Sequence, residues 1–301
     1  MRSTANRGAR IILHSLERSR SQRILWLLEE LKLSYEIKPY KRGANERAAP
    51  ELKALHPLGK APIVEIHPPQ TQTQNGTGND NASGKPYMLA ESAVIMEHLL
   101  EQFHRHSSST PAQAHQKTQT QTQIQQTQLI PNRWIPGQEN QVGSETEAYK
   151  RYRYLMHYCE GSFMPLVVTN ILMDVVKSAP PFFLRPLVSL VPFIVKREYT
   201  TPNLATHLEF LEEQLTSPPK DKEANEQPKS QQQEPYLTGP TFTAADILLS
   251  YPLIIVKETG VLEKAKYPAL WNYVDRLREM DGYKKAVNVL EEVEGQAYKP
   301  F

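Results

Sequence analysis

The sequence of this 301-residue chain predicts an α/β domain followed by an all-helical domain. Two observations carry that division. Up to about residue 104, short apolar runs alternate with helical periodicity in the order β-α-β-α-β-β-α. From residue 144 onward only helical periodicity remains. Between the halves lies a tract of repeated Thr-Gln steps with little apolar content.

The elements of the first half follow in order. Residues 11–15 read as a strand, 24–33 as an amphipathic helix, 35–40 as a second strand and 50–55 as a short helix. His56-Pro57-Leu58-Gly59-Lys60 then turns into a strand headed by Ala61-Pro62. Proline suits an edge or bend there, because it donates no ladder hydrogen bond. X-Pro bonds reach cis at low cost, and a cis bond would let the backbone groups of Ala61 face a ligand. Leu89-Ala90 ends the last strand and runs straight into a helix at Glu91-Ser92. Free N–H groups and the helix dipole favour an anion at such a start. A backbone edge beside an anion-binding helix start suits a short, acidic, extended peptide.

In the second half, helices are expected over 144–163, 164–177, 203–215, 243–259, 268–280 and 283–294. Tyr149, Tyr152, Leu155, Met156 and Cys159 recur at three-to-four spacing along the first. Thr243-Ala244-Ala245-Asp246 is a capping-box pattern at the head of the apolar run 247–256. Losing such a cap costs about 1 kcal/mol, so the motif speaks of folding rather than catalysis.

Composition narrows the function classes. Lys and Arg number 35 against 33 Asp and Glu, and a net charge of +2 gives no argument for nucleic acid or an anionic membrane. The single cysteine, Cys159, excludes an internal disulfide and fits a reducing compartment. No uninterrupted run of about 18 apolar residues occurs, so no membrane-spanning helix is expected. The most apolar region, 182–195, is broken by Arg185, Pro186 and Pro192. It reads as a short buried helix pair, with a membrane-surface element as the alternative. The polar tracts 1–10, 68–84, 105–143 and 218–233 cannot bury enough apolar surface to offset their ordering entropy and are expected to be disordered. That leaves a first domain over 8–104 and a second over 144–298. Phosphate-loop, dinucleotide-binding and nucleophile-elbow patterns are missing from the sequence. His98, His104 and His106 lack an accompanying cysteine or spaced carboxylate, so no metal is expected.

Lys60-Ala61-Pro62, Glu91-Ser92 and Gly239-Pro240-Thr241-Phe242-Thr243-Ala244-Ala245-Asp246 together resemble the glutathione transferase family. The run from Ser19 to Glu30, SRSQRILWLLEE, is similar to the first helix of its yeast-type fungal and bacterial members. The resemblance implies a thioredoxin-like N-terminal domain joined to an all-α helical bundle. It implies glutathione as co-substrate, conjugation to apolar electrophiles and a peroxidase side activity. Ala61 would pair with the cysteinyl backbone and Lys60 with the glycyl carboxylate. Glu91 would hold the γ-glutamyl ammonium, and Ser92 its carboxylate. Lys41 and Arg42 could add positive potential over the glycyl end.

A thiol of pKa about 8.5 needs its thiolate stabilised, and lowering it by two units corresponds to about 2.7 kcal/mol. Ser19, four residues before Arg23 as in serine-type transferases, is the first candidate donor to sulfur. Ser21 and Ser15 compete with it, and His14 at the end of the first strand is a donor of another kind. The plainer reading makes Ser19 a helix cap and His14 a space-filler. No tyrosine or cysteine stands in that loop, which argues against the tyrosine and thiol-exchange mechanisms. Tyr152, Met156 and Phe163 are candidates for the electrophile wall or for core. The family further implies a homodimer, a cytoplasmic or endoplasmic-reticulum-associated setting, and a role in detoxification and stress response. The competing class is a non-catalytic interaction or regulatory protein on the same fold, kept open by the Gln-rich inserts.

Overall fold

A computed structural model describes residues 4–43, 47–69, 84–104, 128–178, 180–217, 219 and 234–301. The first domain contains β1 (Arg10–Leu16), α1 (Ser21–Glu30), β2 (Glu36–Tyr40), α2 (Leu52–Leu55), β3 (Ile63–His67), β4 (Tyr87–Ala90) and α3 (Ser92–Phe103). The sheet order is β2-β1-β3-β4; β2 runs parallel to β1, and β3 is antiparallel to both its neighbours. Strand alternation divides the side chains between two faces. Ile11, Leu13, Val64 and Ile66 pack toward α1 and α3, whereas Leu16 and Ile63 meet Ala49 and Leu52 on the α2 side.

The helical domain contains α4 (Glu147–Tyr158), α5 (Met164–Ser178), α6 (Arg185–Val188), α7 (Leu190–Val195), α8 (Thr201–Thr216), α9 (Ala244–Glu258), α10 (Pro268–Glu279) and α11 (Asp281–Glu294). Two π-helical turns interrupt the long runs, at Cys159–Phe163 and Lys196–Thr200. The continuous run Glu147–Ser178 has the length and composition to cross a membrane. Here it lies against α9 instead, with Leu155, Met156, Phe163 and Met164 in the core.

Helix α9 is the axis of this domain, buried from Ala244 to Val256. The expected capping box opens it. The fully buried Asp246 carboxylate accepts from the Thr243 N–H at 2.7 Å, the Thr243 hydroxyl at 2.8 Å, the Leu237 N–H at 3.1 Å and the Tyr273 hydroxyl at 2.6 Å. The Thr243 hydroxyl thus donates to the carboxylate. Burial pushes the Asp246 pKa up, and these donors oppose that shift.

The two domains share a core through α1. Trp26 is fully buried, stacked on Phe242 at 5.7 Å and edge-on to Tyr283 at 5.3 Å. Gly282 allows the close approach: a Cβ there would collide with Glu30 Oε1 and stand 2.6 Å from Trp26 Nε1.

Three expectations need correction. Residues 4–9 are not a loose tail: Thr4–Asn6 form a 3₁₀ turn, and the Asn6 side chain donates to the Ser34 carbonyl and accepts from its N–H. The second half of the expected linker, from residue 128, is docked; Leu129 is buried and its carbonyl accepts from the Ala244 N–H. The apolar stretch 182–195 is not a buried pair, and nearly all its large side chains face solvent. Most of the inserts 68–84 and 218–233, and the first part of 105–143, lie outside the described residues.

Candidate active site

The sheet register collects the expected binding residues at one end. Ile63 pairs with His14 of β1 and with Ala90 of β4. Ala61-Pro62, Glu91-Ser92 and the loop after Leu16 therefore open at the same edge of the sheet. The Ala61-Pro62 bond is cis, and Ala61 lies just outside the paired residues. Lys60 beside it is exposed.

Glu91 is the N-cap of α3, with φ 72° and ψ 121°, a region sparsely populated by residues other than glycine. Holding such a residue there costs about 1–3 kcal/mol, and strain of this kind clusters at ligand clamps. The exposed Glu91 carboxylate makes no hydrogen bond to its own helix, so it remains available to a cation.

Ser92, 3% exposed, is held from below. Its Oγ accepts from Arg23 Nη2 at 3.0 Å. Arginine only donates, so the Ser92 hydroxyl proton stays free for an acceptor at the α3 N-terminus, the side where a carboxylate belongs. Arg23 is itself fully buried and multiply held. Its Nη2 pairs with Glu160 Oε1 at 2.6 Å, and its Nη1 donates to the Leu248 carbonyl at 2.8 Å. Glu160 also takes Arg20 at 2.7 Å.

The reason that carbonyl is open lies in α9. Pro252 sits inside the helix and has no N–H, so Leu248 O loses its partner four residues on. The Cys159 thiol also approaches it, at 3.4 Å. The π-helical turn Cys159–Phe163 carries both Glu160 and Cys159 to this junction. Burial pushes the Cys159 thiol up to about 12, so it is unreactive as a nucleophile.

At the sulfur end the candidates separate. Ser19 Oγ lies 2.6 Å from the Leu16 carbonyl and 2.9 Å from Ser21 Oγ, and accepts from the Ser21 N–H at 3.2 Å. Its single proton goes to Leu16, so Ser21 must donate to Ser19. Ser15 is buried on the face of β1 that meets the helices, and its hydroxyl has no partner among the described residues. His14 points the other way. Its Nδ1 lies 2.9 Å from the Tyr40 hydroxyl and its Nε2 3.3 Å from Glu65, which also takes His67 at 2.7 Å. With both ring nitrogens engaged, His14 is a bracing group and not a donor to sulfur. Burial lowers its pKa, against the pull of Glu65. Burial works to raise the Glu65 pKa, but the two histidines hold it below the usual carboxylate range.

Arg42 does not overlook the glycyl end as a free charge; its guanidinium donates to the carbonyls of Glu17 and Arg18 and braces the loop. Met156 and Phe163 are fully buried, which makes them core rather than an open wall, whereas Tyr152, nearly buried, still lines the groove between α3 and α4. A cavity of about 470 Å³ lies along α4, lined by Tyr154, His157 and Tyr158 among others, and a broader groove lies between α3 and α4. Ser19, Lys60, Glu91 and Ser92 line neither.

The sequence reading missed the function of Arg23, Glu160 and Pro252. An arginine within the apolar run of an amphipathic helix, and a proline within an otherwise regular buried helix, were the signals available.

The fold and this edge define a thioredoxin-like domain joined to a helical bundle, the architecture of glutathione transferases. Residues 11–101 match the family model for the glutathione S-transferase N-terminal domain. Glutathione S-transferase 1 of Saccharomyces cerevisiae is 28% identical over 275 residues, covering 91% of this chain and 92% of the relative. A glutathione S-transferase structure from Actinobacillus pleuropneumoniae is 25% identical, with a TM-score of 0.54 over 95% of this chain and 94% of that one. The transferase URE2P6 of Phanerochaete chrysosporium, in complex with oxidized glutathione, gives a TM-score of 0.57 at 17% identity, covering 96% and 99% of the two chains. Residues 11–101 thus form a glutathione S-transferase N-terminal domain, and most of the chain is similar to fungal glutathione S-transferases.

Proposed function

We propose that this chain binds glutathione along the edge formed by Lys60, Ala61-Pro62 and Glu91-Ser92, and conjugates it through its sulfur to apolar electrophiles. The observation that carries this reading is the convergence at α3. A strained, uncommitted Glu91 carboxylate stands beside a Ser92 hydroxyl whose proton is left free by Arg23. Together they match the ammonium and carboxylate of a γ-glutamyl group. The Ala61 backbone takes the cysteinyl amide, and Lys60 the glycyl carboxylate.

The cysteinyl sulfur then lies over the loop 17–20 and the start of α1. The helix N-terminus favours its thiolate, and Ser19 donates to it after releasing the Leu16 carbonyl. The thiol proton leaves to solvent. The thiolate forms a C–S bond with the electrophile as the leaving group departs with its electron pair. With an organic hydroperoxide, two glutathione molecules yield the disulfide, an alcohol and water. The same reading includes a homodimer and a cytoplasmic role in detoxification and stress response.

Calorimetric titration of glutathione, followed by conjugation of a chlorinated nitrobenzene, tests this. Saturable heat and turnover, with Ser19→Ala lowering kcat, support it; no heat ends it. If Ser21→Ala lowers kcat instead, the donor is Ser21. The bond from Ser19 to Leu16 favours one second reading, a binding protein without turnover, and saturable heat with no conjugation selects it.

A further inference from the structure

Among the described residues, the chain exposes large apolar side chains most densely between α5 and α8. Beyond α5 it bends through Pro180 and Pro181 into α6 and α7 before returning as α8. In this hairpin Phe182 is 80% exposed, Phe183 66%, Leu187 74%, Val191 62% and Phe193 58%. Helix α7, LVPFIV, is apolar on every side, yet only Pro192 is buried. A helix apolar all round belongs in a protein core or in lipid. Exposed apolar surface on this scale marks an interaction site.

Charge identifies the partner. Between Val175 and Arg197 the chain carries Lys177, Arg185, Lys196 and Arg197 and no carboxylate. Asp174 and Glu198 neutralise Lys196 and Arg197 at the base. Lys177 and Arg185 remain exposed near the tip with no carboxylate partner among the described residues; Arg185 donates only to the Pro180 and Ser178 carbonyls. Aromatic and aliphatic side chains with a basic collar suit the boundary of an anionic bilayer. The geometry excludes crossing: α7 has six residues, about 9 Å of helix, against about 30 Å of hydrocarbon.

We propose that the 180–195 hairpin docks this protein peripherally on anionic lipid surfaces, with its Phe and Leu side chains in the interface and Lys177 and Arg185 at the headgroups. Docking is independent of glutathione binding. The test is flotation of the full chain with vesicles of phosphatidylcholine alone and with about a third phosphatidylserine. Binding should be at least tenfold greater to the anionic vesicles and should weaken as salt rises. Leu187→Asp with Phe183→Asp should abolish flotation while the melting temperature and glutathione titration stay unchanged, because both side chains face solvent. Lys177→Glu with Arg185→Glu should remove the preference for the anionic vesicles. The proposal is overturned by no flotation with either vesicle, by equal flotation with both, or by flotation that the double Asp variant retains. It is equally overturned if sedimentation finds a self-associated state that the double Asp variant dissociates while the wild type ignores vesicles.

Discussion

Asp246 and Arg23 are both buried charges tied to α9, and they end differently. Asp246 gathers four donors from its own domain. It ties the start of α9 to Leu237 and to Tyr273 of α10, and its bonds end there. Arg23 starts in the first domain, reaches a carbonyl and a carboxylate in the second, and returns to Ser92, where the chain of hydrogen bonds ends on an available proton. Both satisfy the same rule, that a buried charge must be hydrogen-bonded. A closed cluster serves folding; an open one connects folding to a ligand.

Five experiments break or sharpen that contrast. The largest effect belongs to Asp246→Ala. Hydrogen bonds to a charged group contribute about 1.5–3 kcal/mol each, so urea unfolding should show a loss of at least about 3 kcal/mol. A loss under about 1 kcal/mol would mean the cluster is not essential to folding.

Arg23→Gln comes next. It leaves Glu160 and the Leu248 carbonyl short of a donor, at a cost of about 2–3 kcal/mol. Its KM for glutathione should also rise about tenfold or more, an effect that loss of stability alone does not produce. Arg23→Lys should recover part of the stability but keep the raised KM, because one ammonium cannot span Ser92, Glu160 and Leu248.

Gly282→Ala tests the apolar side of the same interface. Its Cβ would force Glu30 and Trp26 apart, with a loss of about 1–3 kcal/mol and little change in KM. A matching rise in KM would mean that interdomain packing as a whole, and not the polar link, orients Ser92.

A smaller effect separates strain from charge at Glu91. Glu91→Gly and Glu91→Ala should both lose glutathione affinity. The glycine variant should be about 1 kcal/mol the more stable, because only glycine adopts φ 72° without strain. Equal stability would remove backbone strain from the account.

The smallest effect concerns His14. Its pKa lies below the usual 6.5, so the folded chain binds fewer protons than the unfolded chain in that range. This contribution to stability is complete above about pH 6.5 and is lost as pH falls toward the folded value. His14→Gln should flatten the acid limb of a melting-temperature profile without shifting the pH dependence of turnover. A shift in turnover would return His14 to the sulfur.

Elements set by local rules were legible in the sequence. The capping motif started α9 where expected, and the turn into Ala61-Pro62 led into β3. Boundaries slipped where capping was ambiguous: α1 begins at Ser21, three residues earlier than the apolar pattern indicated. Residues that meet only in three dimensions stayed hidden. Arg23 and Glu160 are 137 positions apart in the numbering of this chain, and their pairing needs both domains docked. Residues 182–195 were misread because composition reports what a segment would bury, and not whether the fold supplies a surface to bury it against.

Pro252 has one more implication. By leaving Leu248 O open it lets the helical half steer a hydroxyl that this half never touches. A grafted first domain from a relative would therefore work well only if its arginine met a host helix interrupted at the matching place. The two halves are keyed to each other by an absent amide hydrogen.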